Sequence, residues 1–260
     1  MQNSCTHCAN THEGNFCNYC GQKKFHRIDR KYIWDEVQYT LVHFNKGFLY
    51  SIKSIAKNPG KTARSFVDGD RVNHYKPISL AFVLAGISAF LSIKVLKLYK
   101  AMEALNLKGG NSDFMKSLMH YNIEYNSFFM LAFAPLMAFF TWFVFKKWGN
   151  NYYEHVVMNA FGVSLYLIFN ILILYPILYF FKDDYGLLNT VSFSSFLIIP
   201  VYMGWFFKGF YPETSIKTII LRILFLIFLL LVAYILLIIL VTIFIGVTNP
   251  AAFKQFAPKK

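Results

Sequence analysis

Residues 219–247, IILRILFLIFLLLVAYILLIILVTIFIGV, contain one charged side chain, Arg222, close to their start. A helix of about 20 apolar residues crosses the roughly 30 Å hydrocarbon core of a bilayer, and tilt or a projecting end absorbs the excess of a longer run. This stretch therefore reads as a transmembrane helix. Working back toward the amino terminus, four further runs predict spans. They cover about 78–98 (ISLAFVLAGISAFLSIKVLKL), 127–145, 156–181 and 191–207. Pro77 suits the first turn of the first span, and Lys94 and Lys97 near its far end can extend toward headgroups. Lys146, Lys147 and Trp148 close the second, and Lys182, Asp183 and Asp184 stop the third. The fourth is interrupted by Pro200, Gly204 and several serines.

Composition agrees with this pattern. The chain of 260 residues is 56% hydrophobic, 19% aromatic and only 15% charged, whereas soluble domains carry about a quarter charged residues. The formal charge of +13 could suggest nucleic acid. Twelve of the 26 Lys and Arg residues, however, lie between Lys23 and Lys76, just ahead of the first span. That placement favours anionic lipid headgroups, and no nucleic-acid partner is expected. Placing the amino terminus inside puts these residues, Lys146, Lys147, Lys208, Lys217 and Arg222 on the cytoplasmic side. Five spans then leave the basic tail, with Lys254, Lys259 and Lys260, outside.

All four cysteines fall in CTHCANTHEGNFCNYCGQ, residues 5–22. The spacing is C-x2-C-x8-C-x2-C, and two such turns can close a tetrahedral four-thiolate site around Zn2+. Cys5, Cys8, Cys17 and Cys20 are the predicted ligands, with His7 or His12 as a possible replacement for one. A unit of about 25 residues cannot bury a core of its own, so metal binding would supply most of its folding free energy. Four thiolates leave no open position for substrate. The opening residues have no basic stretch leading into an apolar one, so no cleaved signal is expected. The thiols then stay in the reducing cytoplasm.

Between this unit and the first span, Ile33, Trp34, Val37, Leu41 and Phe44 recur at helical spacing, and Phe48, Leu49, Ile52 and Ile55 form a second set. Asn58-Pro59-Gly60 breaks the chain. Two or three short amphipathic helices are expected, lying along headgroups, packing on the spans, or both. Lys46, Lys53, Lys57, Lys61, Arg64 and Arg71 are the candidate contacts to headgroups or an acidic partner. Asp68-Gly69-Asp70 reads as a turn.

Ionisable groups are nearly absent from the spans. Asn126, Asn159 and Asn170 form a possible polar seam, with ordinary interhelical hydrogen bonding as the plainer reading. Glu154 and His155 at the mouth of the third span read as interfacial polarity. No P-loop, GxSxG, HExxH or dinucleotide fingerprint is present, and no catalytic constellation is visible, so an enzyme is not expected.

The order CxxC…CxxCGQ, Asn45-Lys46-Gly47-Phe48, Pro59-Gly60, Arg64, Phe66, Gly69, Arg71, Tyr75 and Pro77 resembles a bacterial zinc-ribbon membrane family of unknown function. That resemblance implies no activity. The whole layout resembles, more distantly, the Yip family of five-span proteins, through KNPGKTARSF, KKWGNNYYEHVV and GFYPETSIKTI. The Yip likeness implies a cytoplasmic amino-terminal segment and, from eukaryotic members, links to vesicle trafficking, membrane shaping and small GTPases.

The resulting expectation is an all-α integral membrane protein with five transmembrane helices, preceded by a small cytoplasmic zinc ribbon and short amphipathic helices. Its parts are 1–25 (ribbon), 26–76 (basic interfacial helices), 77–248 (spans) and 249–260 (basic tail). The expected role is a scaffold or adaptor in the inner membrane whose ribbon docks a cytoplasmic protein. The alternative is a transporter or lipid-handling channel between the spans.

Overall fold

The computed structural model describes residues 3–24, 27–33, 47–98, 100 and 126–248. The predicted stripe Trp34, Val37, Leu41 and Phe44, with Lys46, lies outside them, as do the connection through Lys116 and the 249–260 tail; so do the side chains of His12 and Asn126.

Apart from a two-residue antiparallel pair, β1 (Asn3–Ser4) with β2 (Thr11–His12), the elements are helices. Two short ones, α1 (Phe48–Lys57) and α2 (Pro59–Val67), precede five long ones: α3 (Pro77–Val95), α4 (Asn126–Phe145), α5 (Tyr152–Phe180), α6 (Tyr185–Phe210) and α7 (Ile216–Thr248). Four of these, α3, α5, α6 and α7, are long and apolar enough to cross a membrane, which marks a membrane protein. α4 packs against α3, α5 and α7.

Local chemistry sets the boundaries. α5 begins a turn earlier than its apolar run because Asn151 and Glu154 form a reciprocal capping box, each side chain accepting from the other's backbone N–H. Asp184 caps α6, its Oδ1 accepting from the amides of Gly186 and Leu187 at 3.0 Å. It both follows the third run and starts the fourth. α6 extends beyond the expected 191–207 because its interruptions are absorbed. The Ser192 and Thr190 hydroxyls donate back to Leu188 and Gly186 carbonyls, and a 3-10 turn at Ser195–Ile198 lets Pro200 stand at the start of the last helical stretch. α3 ends and α5 is interrupted in π-helical turns, Leu91–Val95 and Asn170–Leu174. The Ser88 and Tyr175 hydroxyls join these two helices at 2.7 Å.

The Asn58-Pro59-Gly60 break is sharper than expected. Asn58 alone turns the chain, while Pro59 and Gly60 already belong to α2. Gly60 lies on the backbone of α6: a Cβ there would stand 2.0 Å from the Phe206 carbonyl oxygen and 2.6 Å from the Phe210 nitrogen. On the facing side, a Cβ on Gly209 would stand 3.0 Å from the Gly60 Cα and the Lys61 nitrogen. The absence of two side chains lets α2 press against α6, and α2 also packs on α5. Ile55, Ala63 and Phe66 are buried there, with Phe66 edge-on to Phe161 of α5 at 5.4 Å. The short helices therefore pack onto the ends of the long ones. At the same end Phe145 stacks on Phe207 and Tyr211, at 4.7 and 5.6 Å. Arg222, near the start of α7, donates to the Val144 carbonyl at 2.8 Å.

Candidate metal centre and its docking loop

The two CxxC turns are built alike. In the first, the Cys5 amide donates to Asn10 O and the Ala9 amide to Cys5 O, both at 2.9 Å; in the second, Cys17 donates to Gln22 O at 2.7 Å and Gly21 to Cys17 O at 2.8 Å. The residue after each second cysteine, Ala9 or Gly21, is in the left-handed region, at φ 60° and 75°. Glycine takes that conformation freely, whereas alanine does so at a cost. A backbone bridge between Phe16 and Lys23 closes the second turn.

This duplication brings the four sulfurs of Cys5, Cys8, Cys17 and Cys20 within 4.8 Å of one another. Cys5 meets Cys20, and Cys8 meets Cys17, at 3.6 Å. A tetrahedral ion with metal–sulfur bonds of about 2.3 Å demands sulfur separations of about 3.8 Å. The cluster fits that geometry. All four cysteines are free thiols. The Cys20 and Tyr19 amides draw the Cys17 thiol down to about 6. The Gln22 amide also favours a Cys20 thiolate, but burial and the neighbouring sulfurs outweigh it and push Cys20 up to about 12. Thiolates this close cannot all form without a cation among them. The set can hold one metal ion with every ligand position filled.

The unit is clamped to the helices. Gln22, buried beside the last cysteine, donates to Gly69 O at 2.5 Å and accepts from the Arg71 amide at 3.4 Å. His7, considered above as a substitute ligand, pairs instead with Asp70 at 2.5 Å and lies 3.4 Å from Asn73 Nδ2. One contact comes from each turn, and both land on the 68–73 loop between α2 and α3. The same loop is held from its other side. The Ser51 hydroxyl accepts from the Tyr75 amide at 2.7 Å, and Gly47, at φ 113°, would place any Cβ 2.6 Å from Asn73 O.

A second clamp follows. Arg27 donates to both Glu154 oxygens, at 2.7 and 3.3 Å, and to Gly149 O at 2.8 Å. Next to it Ile28 is fully buried, and its carbonyl accepts from Asn151 at 3.0 Å. Glu154 and His155 are thus not interfacial polarity. Glu154 is buried and also accepts from Asn150, at 2.9 Å, while His155 is wholly enclosed.

The candidate basic contacts divide. Lys53, Lys57 and Lys61 are exposed. Arg64 pairs with Asp68 at 2.8 Å and lies over the Phe210 ring at 5.7 Å. Arg71 turns inward: it donates to Phe66 O at 3.1 Å and covers the Tyr32 and Phe66 rings at 4.9 and 5.5 Å. The polar seam divides as well. Asn159 bonds Thr141 and lines a cavity between helices, whereas Asn170 is buried in the π turn of α5 with its Oδ1 unpartnered among the described residues. His7, Gln22, Arg27 and Glu154 were not singled out as clamps. Their partners stand 47 to 127 residues away, and the only available signal was the Gly-Gln that follows the last cysteine.

Among known families, one described as a protein of unknown function (DUF3667) matches residues 45–89. That stretch contains α1, α2, the docking loop and the first part of α3, and stops short of the cysteines. No curated protein and no solved structure matches the chain, so the Yip likeness has no support beyond its motifs.

Proposed function

We propose that this protein is a scaffold of the bacterial inner membrane with five spans, α3 to α7, and a cytoplasmic amino terminus. Its cysteine unit is a structural zinc ribbon that presents a docking surface to a cytoplasmic protein. The observation supporting this reading is the two-sidedness of the unit. His7 and Gln22 are committed to the membrane-domain loop, while Phe16 and Tyr19 stand 57% and 80% exposed. Exposed aromatics on a small, rigid, metal-closed body are what a protein partner anchors on. Lys53, Lys57 and Lys61 meet anionic headgroups, each contributing on the order of 1 kcal/mol. Arg64 and Arg71 serve mainly to fasten α2 and the loop.

The test pairs two variants of the full-length protein in mild detergent. Phe16→Ser/Tyr19→Ser should keep one equivalent of zinc and lose a captured cytoplasmic partner; Cys17→Ser/Cys20→Ser should lose both. A partner retained by both variants would remove the docking role, and a double cysteine variant that keeps its zinc would remove the ribbon.

A further inference from the structure

A cavity of about 340 Å³ lies between α4, α5, α6 and α7, apart from the cysteine unit and its clamps. Its size falls at the lower end of small-molecule pockets, about 300–1,000 Å³. Most of its wall is aliphatic or aromatic, and none of the described residues that line it is charged. Phe196, at its edge, is 52% exposed, so the cavity opens sideways on the surface of the helices.

Four polar side chains line it: Thr141, Asn159, Tyr166 and Tyr202. Asn159 commits its amide hydrogens, donating to the His155 carbonyl at 2.7 Å and to Thr141 Oγ1 at 2.8 Å. Thr141 in turn donates back to Met137 O at 2.9 Å. These bonds hold the Asn159 amide in one orientation, and its Oδ1 has no partner among the described residues. The hydroxyls of Tyr166 and Tyr202 likewise make no hydrogen bond there. None of these three oxygens is sealed away from accessible space. Within helices that cross a membrane, an unpaired polar group is costly. One fixed acceptor and two donors in an otherwise apolar chamber specify a ligand with a greasy body and a small head that both donates and accepts. Without a facing charge, an ionised head would be left uncompensated.

We propose that this cavity binds an uncharged single-chain amphiphile, a hydrocarbon tail carrying hydroxyl and carbonyl groups, taken sideways from the bilayer and held at its head by Asn159, Tyr166 and Tyr202. This site stands independently of the docking role.

Gly162 provides a clean test, because it lines the cavity and a Cβ added there meets nothing within 4 Å. Gly162→Leu should fill the space without disturbing the fold. The wild-type protein, Gly162→Leu and Tyr202→Phe are reconstituted with a photoreactive monoacylglycerol or, separately, a photoreactive lysophosphatidylglycerol of the same chain length. Labelled peptides are then mapped by mass spectrometry, with melting temperature as the check on folding. Monoacylglycerol labelling of α5 and α6 around Gly162 and Tyr202 is expected to fall at least tenfold in Gly162→Leu and several-fold in Tyr202→Phe. The anionic probe should label those peptides weakly in all three proteins. Equal monoacylglycerol labelling of wild type and Gly162→Leu would overturn the proposal. Labelling by the anionic probe as strong as by the neutral one would also overturn it. If Gly162→Leu melts more than a few degrees low, Gly162→Ala and Gly162→Val supply a graded series, and labelling that does not fall with side-chain size overturns the proposal equally.

Discussion

The cysteine unit and the helical domain are held together by opposite means. Residues 3–24 bury little beyond two cysteines and Gln22, and sulfur and backbone hydrogen bonds define their shape. The helical domain buries an extended cluster of Phe, Leu, Ile and Val across α2 to α7, and its fine fit depends on Gly60 and Gly209 lacking side chains. The joint between the two resembles neither. It consists of polar clips, His7–Asp70, Gln22–Gly69 and Arg27–Glu154, with one apolar anchor, Ile28, sunk into the helical core beside the last of them. Such a joint gives orientation at modest energy and can be undone without unfolding either side.

The largest effect should come from the metal. Structural zinc sites in small domains contribute about 10–16 kcal/mol of apparent binding free energy, so a strong chelator should unfold residues 3–24 completely. Limited proteolysis is expected to cleave within this segment while α3 to α7 remain protected; loss of the helical domain as well would erase the contrast. Next comes Gly60→Ala. Its Cβ falls on the α6 backbone rather than on a pliable side chain, and such overpacking costs about 1–3 kcal/mol or more. Thermal unfolding in detergent should show a clear drop, with metal content unchanged. An unaffected midpoint would mean that α2 does not press on α6.

Smaller losses should test the joint itself. Arg27→Ala leaves a buried carboxylate with only its Asn150 and Asn151 donors and should cost about 1.5–3 kcal/mol. Gln22→Ala removes a buried amide from Gly69 and Arg71 and should cost about 1–2 kcal/mol. Both are expected to loosen the unit while keeping its metal, as read by the proteolysis rate ahead of α1. At the bottom of the scale, Asp68→Ala breaks a partly exposed i,i+4 pair with Arg64 and should change stability by no more than about 0.5 kcal/mol.

Legibility followed the same divide. The apolar runs announced α3, α4 and α7 to within three residues at either end, and the middles of α5 and α6, since a long apolar run is a local property of the sequence. Cysteine spacing announced the cluster for the same reason, because each pair sits on one turn. The termini of α5 and α6 escaped because they depend on caps at Asn151 and Asp184 whose side chains look like ordinary loop residues. The clamps escaped because hydrogen bonding between Arg27 and Glu154 leaves no periodicity in either neighbourhood. Gly60 was visible, but as a breaker; its actual role, contact with Gly209, depends on a helix crossing that only packing reveals. Asn126, Asn159 and Asn170 were grouped as one seam from their polarity alone; of the two whose side chains are described, Asn159 lines the cavity and Asn170 sits in the π turn of α5, a difference set by packing rather than by local sequence.

The central claim is that a metal-closed cysteine unit is clamped onto the 68–73 loop, and hydrogen–deuterium exchange of the full-length protein with and without chelator tests it most directly. On metal removal, amides from Phe66 to Tyr75 should lose protection together with residues 3–24, while those of α5 stay unchanged. Loop amides that keep their protection after the cysteine unit has unfolded would contradict the account.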